Sequence, residues 1–225
     1  MRCQIIFMKT NQALTLETES SQKPIAVWRF LIPLLIQAGL ILAIPAQSVY
    51  TVVTGKTAIL QTLPVDPYDL LRGYSVTLNY EVSRLSTLKK LPGWTDLVKQ
   101  HPGTNKEYDP LAPGTIVYVI LEAQKSSNGI PQAWKPVRVS GQLPNSLPAN
   151  QLALKGLYTR DNSITYGLET YYIPEDQRQD INNDIAKARP SKPGESQPIV
   201  VEVKINAQGQ AVPISMWVRD RKYHF

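Results

Sequence analysis

A chain of 225 residues with 43% hydrophobic content is long enough for one good-sized domain plus appendages and can fill a core, which excludes disorder for most of its length. Its 24 Lys and Arg residues outnumber 18 Asp and Glu residues to give a net charge of +6, but the two signs interleave between Gln47 and Phe225, so no nucleic-acid footprint is formed. Cys3 is the only cysteine, which excludes an intramolecular disulfide and a cysteine-based zinc cage. An exported domain would have to be stable from its core alone.

The first strong signal along the chain is the run from Phe30 to Ala46, apolar throughout except for Gln37. As a helix it spans about 26 Å, slightly short of a hydrocarbon core of about 30 Å. Adding Ile25 to Trp28 makes it long enough, with Arg29 able to snorkel and Trp28 suited to the interface. Pro33 falls in the first turn and Pro45 near the end, so neither breaks the middle. Lys23 and Arg29 flank the N-terminal side closely, whereas the nearest cation beyond the run is Lys56. The positive-inside rule therefore puts the N-terminus in the cytoplasm. Residues 1–24 read as a cytoplasmic segment, 25–46 as a transmembrane signal anchor contacting the lipid bilayer, and 47–225 as an extracytoplasmic β-rich domain. A cleaved signal peptide is the competing reading, since Ala46-Gln47-Ser48 offers small residues to a peptidase. The leader of about 29 residues before the apolar run argues against it. A buried core helix is disfavoured because the run is not amphipathic.

Beyond the anchor the pattern changes to period two. Strands are predicted over Ser48 to Thr54 and Thr57 to Leu63. Then comes a charged turn, Asp66-Pro67-Tyr68-Asp69-Leu70-Leu71-Arg72-Gly73. It runs straight into a strand in which Tyr74, Val76, Leu78, Tyr80 and Val82 share one face and Ser75, Thr77, Asn79, Glu81 and Ser83 the other. A short helix is predicted over Trp94 to Gln100. Thr115 to Glu122 is apolar on both faces, as a central strand would be. Further strands are predicted over Gln132 to Val139, Leu152 to Arg160, Ser163 to Ile173, Ile199 to Asn206 and Ala211 to Val218. Ser126 to Gly129, Asp161-Asn162 and Asn206 to Gly209 supply turns. Pro174 to Arg189 reads as a polar surface helix with Ile181, Ile185 and Ala188 at helical spacing. Pro190 to Pro198 reads as a loop. Arg219-Asp220-Arg221-Lys222 reads as a solvated tail. The expected fold is mainly β: an antiparallel barrel or sandwich with one or two short surface helices.

The stretch from Asp66 to Val82 resembles the GDYXXLXY family, with Gly73, Leu78 and Tyr80 at the signature positions and Tyr74 and Ser75 standing where Asp and Tyr are expected. The Pro64-Val65-Asp66-Pro67 approach and Asp69 to Arg72 are similar to the family's entry into the motif. Tyr166-Gly167-Leu168-Glu169, closing through Tyr171, Tyr172 and Pro174 on Glu175, also looks like a family feature. The resemblance implies a small membrane-anchored protein, an architecture and a location more than a reaction.

Asp66 and Asp69 lie three apart in a proline-bounded turn, a spacing that suits a hard cation or an acid-base pair. The structural reading is stronger: Asp66 initiates the turn, Asp69 caps the short Leu70 to Arg72 turn, Arg72 neutralises either acid, and Gly73 closes it. Arg72 and exposed backbone N–H groups could still accept a carboxylate or phosphate from a partner. Glu169 could face Arg72 across a cleft, and tyrosines from Tyr166 to Tyr172 either line a shallow groove or complete a core edge. His101 and His224 sit in no triad pattern, and no metal, phosphate-loop or nucleotide fingerprint is present. No catalytic residue, metal or cofactor is assigned.

The leading expectation is a non-enzymatic membrane-anchored module binding an envelope protein through a surface comprising Asp66, Asp69, Arg72, Gly73, Tyr80, Tyr166, Glu169, Tyr172 and Glu175. One alternative is a membrane-anchored hydrolase using Asp66, Asp69, Glu169 or Glu175. Another is a signal-peptidase-like relative, for which no serine and lysine pair is identifiable.

Overall fold

A computed structural model describes residues 27–63, 75–105, 108–124, 131–172, 175–188 and 197–224. The turn bearing Asp66, Asp69, Arg72 and Gly73, and the predicted turn Ser126 to Gly129, lie outside the described residues, as do the side chains of Tyr172 and Glu175. The chain divides into two compact units, 1–43 and 44–225.

Helix α1 covers Trp28–Thr54. No single helix among the described residues is long and apolar enough to cross a membrane; Trp28–Ala43 and Pro45–Thr54 reach that length and composition only as a bent pair. Pro45 supplies the physical reason for a break, since it lacks the N–H that would bond one turn back. The predicted strand over Ser48 to Thr54 is therefore corrected to helix. β-branched Val49, Thr51, Val52, Val53 and Thr54 favour a strand by propensity, but the Thr51 and Thr54 hydroxyls donate back to the carbonyls of Gln47 and Tyr50 at 3.0 and 2.8 Å within the helix. The Gly55 N–H closes the last turn on Thr51 O at 2.9 Å.

The rest of the second unit is β-rich and antiparallel. One four-stranded sheet has the order β1 (Lys56–Gln61), β10 (Ile199–Ile205), β11 (Ala211–Val218), β12 (Arg221–His224). The other has the order β6 (Lys135–Ser140), β5 (Ile116–Glu122), β7 (Gln151–Tyr158), β8 (Ile164–Thr165). Two small pairs complete it: β2 (Ser75–Thr77) with β9 (Thr170–Tyr172), and β3 (Pro102–Asn105) with β4 (Asp109–Leu111). The Trp134 N–H, just before β6, donates to Ile59 O of β1 at 2.9 Å, so the two large sheets meet along these edges. Both sheets send alternate residues, among them Val201 and Val203 of β10 and Val117, Val119 and Leu121 of β5, into one hydrophobic cluster. β5 is central, paired on both sides as its two-faced apolar run predicts. Ile120, on its other face, is also fully buried.

The predicted turns have local causes. Asn206 Oδ1 accepts from the Gln208 and Gln210 N–H groups, each at 3.0 Å, and Gly209 takes a φ of 83°. Asn162, with φ of 60°, makes the β7–β8 hairpin, a left-handed conformation that asparagine tolerates better than most residues.

Helices α2 (Leu85–Leu88) and α3 (Trp94–Gln100) pass between the motif strand and β3. Helix α4 (Arg178–Lys187) follows a short 3₁₀ turn at Glu175–Gln177, and its Ile181 and Ile185, with Ala188, are buried in the shared core at the expected spacing.

The C-terminal cluster Arg219 to Lys222 is exposed, as a solvated segment would be, but it is not a loose tail. Arg221 and Lys222 belong to edge strand β12. Arg221 pairs with Asp184 of α4 at 2.9 Å. Lys222 pairs with Glu202 of β10 at 2.8 Å and lies over the Trp217 ring at 5.3 Å from its centroid. Arg221 and Lys222 thus have partners on α4 and β10 that no local pattern reveals.

Candidate functional site

The signature strand is shorter than its alternation suggests. Among the described residues the ladder with β9 covers Ser75–Thr77, after which Leu78 donates its N–H to Glu169 O at 2.7 Å and Leu63 donates to Asn79 O at 2.7 Å. The alternation itself persists: Leu78, Tyr80 and Val82 are buried while Asn79 and Glu81 are exposed. Ser83 is also buried, because the chain turns into a 3₁₀ segment at Glu81–Ser83 and leaves the strand geometry that would have exposed it.

Tyr80, Tyr166 and Tyr171 meet beneath this strand. The Tyr80 hydroxyl donates to Leu168 O at 2.8 Å and is hydrogen-bonded to the Tyr171 hydroxyl. The Tyr166 hydroxyl donates to Val82 O at 2.6 Å. A buried phenol needs such partners, and here they are mostly backbone carbonyls on the facing segment. Burial raises the pKa of Tyr80, Tyr166 and Tyr171 well above the ordinary phenol value, with the nearby Glu169 charge adding to each. The cluster is a neutral, hydrogen-bonded clamp between the motif and the Tyr166–Tyr171 segment, and Tyr80 has no exposed surface to offer a ligand.

Glu169 has a local role. Its Oε1 accepts from the Tyr166 N–H at 2.6 Å, closing a turn in which Gly167 takes a φ of 74°. Glu169 thus shapes the loop that carries Tyr166 and Gly167. The part of the expected surface the structure brings together is this loop with Tyr80; Asp66, Asp69, Arg72 and Gly73 lie outside the described residues, and of Tyr172 and Glu175 only the backbone is described.

The same loop forms one wall of a cleft of about 530 Å³ within the second unit. Gln47, Ser48 and Thr51 of α1 make the opposite wall, with Lys155 to Leu157 of β7, Ile116 of β5 and the start of β11 between them. Ile116 and Leu157 are paired in register and both are exposed. Lys155 is the only charged side chain in the described lining; hydroxyls, amides, the Tyr166 ring and the apolar side chains of Ile116, Leu157, Ala211 and Val212 supply the rest. Such a lining binds through hydrogen bonds and apolar contact. Among the described residues no group of three or more His, Cys, Asp or Glu side chains converges as metal ligands would.

Gly156 makes the cleft floor possible. A Cβ there would stand 2.3 Å from Ile164 Cγ2 and 2.7 Å from Tyr166 Cε1, so only glycine lets the Tyr166 ring cross β7. Gly156 has no role among the sequence-based expectations, although a glycine inside an alternating strand is a recognised sign of close approach. Thr51, Lys155 and Gln210 carried no comparable signal.

The fold is a β-rich domain in which Leu78 and Tyr80 of the signature are packing elements. The chain belongs to the GDYXXLXY protein family, whose model matches residues 37–216, from within α1 to within β11. No curated protein and no solved structure matches it.

Proposed function

We propose that this is a single-pass membrane-anchored, non-enzymatic module, with its N-terminus in the cytoplasm and the β-rich unit outside, where it binds an envelope protein. The observation that carries the anchor is the surface of α1. Trp28, Phe30, Leu34, Leu35, Ile36, Leu40, Ile41 and Leu42 are each 59% to 70% exposed, on all sides of the helix. A helix apolar all round is suited to a nonpolar surrounding, and water is not one. Tethering then raises the local concentration of the β-rich unit at the bilayer, so a weak contact suffices for partner capture. The partner surface comprises the cleft beside Tyr166 and Gly167 and, on the sequence alone, Asp66, Asp69, Arg72 and Gly73. Binding is preferred to hydrolysis because no carboxylate stands in the described lining of the cleft.

Membranes from cells expressing the full chain, washed in alkaline carbonate, should retain it, and a chain lacking residues 28–43 should be released. Release of the full chain would overturn the anchor. For the partner, a detergent pull-down with Arg72→Ala and Glu169→Gln should lose a protein that the unaltered chain retains. Retention of every partner by both variants, alongside loss of one on deleting residues 47–225, would overturn the assigned surface.

A further inference from the structure

The last turns of α1 have inverted polarity. Thr51 is buried against the β-rich unit, where Asn206 Nδ2 donates to its hydroxyl at 2.8 Å, and Gln47 and Ser48 line the cleft on the same side. At 100° per residue, Val49 and Val53 stand opposite Thr51, with Tyr50 and Val52 on the flanks. Those four are outward: Val53 is 77% exposed, Val49 60%, Tyr50 54% and Val52 41%. A surface helix facing water has the opposite arrangement, apolar side in and polar side out.

We propose that Pro45–Thr54 lies in the membrane interface with this apolar strip against lipid, so that the β-rich unit is seated on the bilayer surface instead of hanging from a linker. The inference rests on the anchor reading and extends it. Four observations choose lipid as the occupant. Pro45–Thr54 follows the apolar run Trp28–Ala43 directly along the chain. Trp28–Ala43 by itself is about 24 Å long, short of a hydrocarbon core of about 30 Å, so the turns that follow it fall at the interface. The exposed Thr54 hydroxyl donates to Tyr50 O at 2.8 Å, which satisfies it without water. Tyr50 has the amphipathic ring favoured at headgroup depth, and exposed Lys56, two residues past the helix, has a cation to offer anionic headgroups. Seating of this kind fixes the orientation of the cleft relative to the membrane and restricts its partners to those that approach along the surface.

Single cysteines in a Cys3→Ser background test this in the full chain. Leu35→Cys, Val49→Cys, Val53→Cys and, in α4, the exposed Gln179→Cys are labelled with an environment-sensitive nitrobenzoxadiazole probe. The labelled chains are reconstituted in phosphatidylcholine–phosphatidylglycerol vesicles with or without brominated acyl chains. The expected result is blue-shifted emission and loss of intensity with bromolipid at positions 35, 49 and 53, and neither at 179. Quenching at 35 with water-like emission at 49 and 53 would leave the anchor standing and overturn the seating. Emission at 49 and 53 that is blue-shifted yet insensitive to bromolipid would show a protein, either a second copy or a partner, covering the strip, and would overturn it too. Absence of quenching at 35 would remove the anchor reading and this inference with it.

Discussion

Asn206, at the turn between β10 and β11, donates from Nδ2 to the Thr51 hydroxyl in α1 at 2.8 Å, and both residues are buried. The same asparagine accepts from the Gln208 and Gln210 N–H groups, so one side chain both builds the hairpin and holds the end of the helix.

Asn206→Ala should therefore cost more than Thr51→Val. The first leaves two backbone N–H groups and a buried hydroxyl without their acceptor or donor, about 2–3 kcal/mol, whereas the second removes one hydroxyl and leaves one amide N–H unpaired, about 1 kcal/mol. Urea unfolding in detergent followed by tryptophan fluorescence measures both. Equal effects would show that the hairpin does not depend on Asn206.

Tyr80→Phe should destabilise by about 1–2 kcal/mol, because Leu168 O loses its donor in the interior. Tyr171→Phe should act through the same hydroxyl pair. The double variant should then cost less than the two single losses added together, and a double-mutant cycle reads the coupling directly. Strict additivity would separate the two phenols.

The raised phenol pKa values give a pH dependence with a definite sign. In the folded protein Tyr80, Tyr166 and Tyr171 bind their protons more tightly than in the unfolded chain, where the value is about 10. Their contribution is thus fully present below about pH 10 and is lost as pH rises towards their folded values, because above pH 10 the unfolded state gives up protons that the native state retains. Tyr158 adds to this: burial first, then its hydrogen bond to Asp109 at 3.0 Å, pushes it up to about 12. In an alkaline titration, phenolate absorbance from these four should appear together with loss of circular dichroism. Ionisation of all four with the fold intact would contradict the clamp.

Gly156→Ala should be disruptive despite adding one carbon. The new Cβ meets Ile164 and Tyr166 side-chain atoms at 2.3 and 2.7 Å, and overpacking of this kind costs about 1–3 kcal/mol. Thermal unfolding should show the loss, and Tyr166→Leu in the same chain should recover part of it by removing the ring. A Gly156→Ala chain as stable as the parent would mean that β7 and the Tyr166 loop separate freely.

Much of the architecture was legible because side-chain alternation and turn chemistry are local. Val117, Val119 and Leu121 face the shared core, and Asn206 to Gly209 turns as its residues require. The helix over Ser48 to Thr54 was not legible, since a run of β-branched residues carries the strand preference and only the Gln47 and Tyr50 carbonyls, one turn back, accept their hydroxyl bonds. The edge strand at Arg221–His224 was equally hidden: it pairs with β11 through the tight Arg219–Asp220 turn, but its charged residues carry no apolar alternation, and their ion-pair partners Asp184 and Glu202 are distant in sequence.

The sequence by itself determined the apolar helix, the β-rich class and the family, each of which rests on periodicity or a short run of residue types. Tertiary structure alone decided that Leu78 and Tyr80 of the signature are core, that Glu169 ties a turn, and that a cleft lies between Thr51 and Tyr166. Those outcomes depend on which segments meet. Residues 88 apart, such as Tyr80 and Leu168, share a hydrogen bond only after the whole unit has packed.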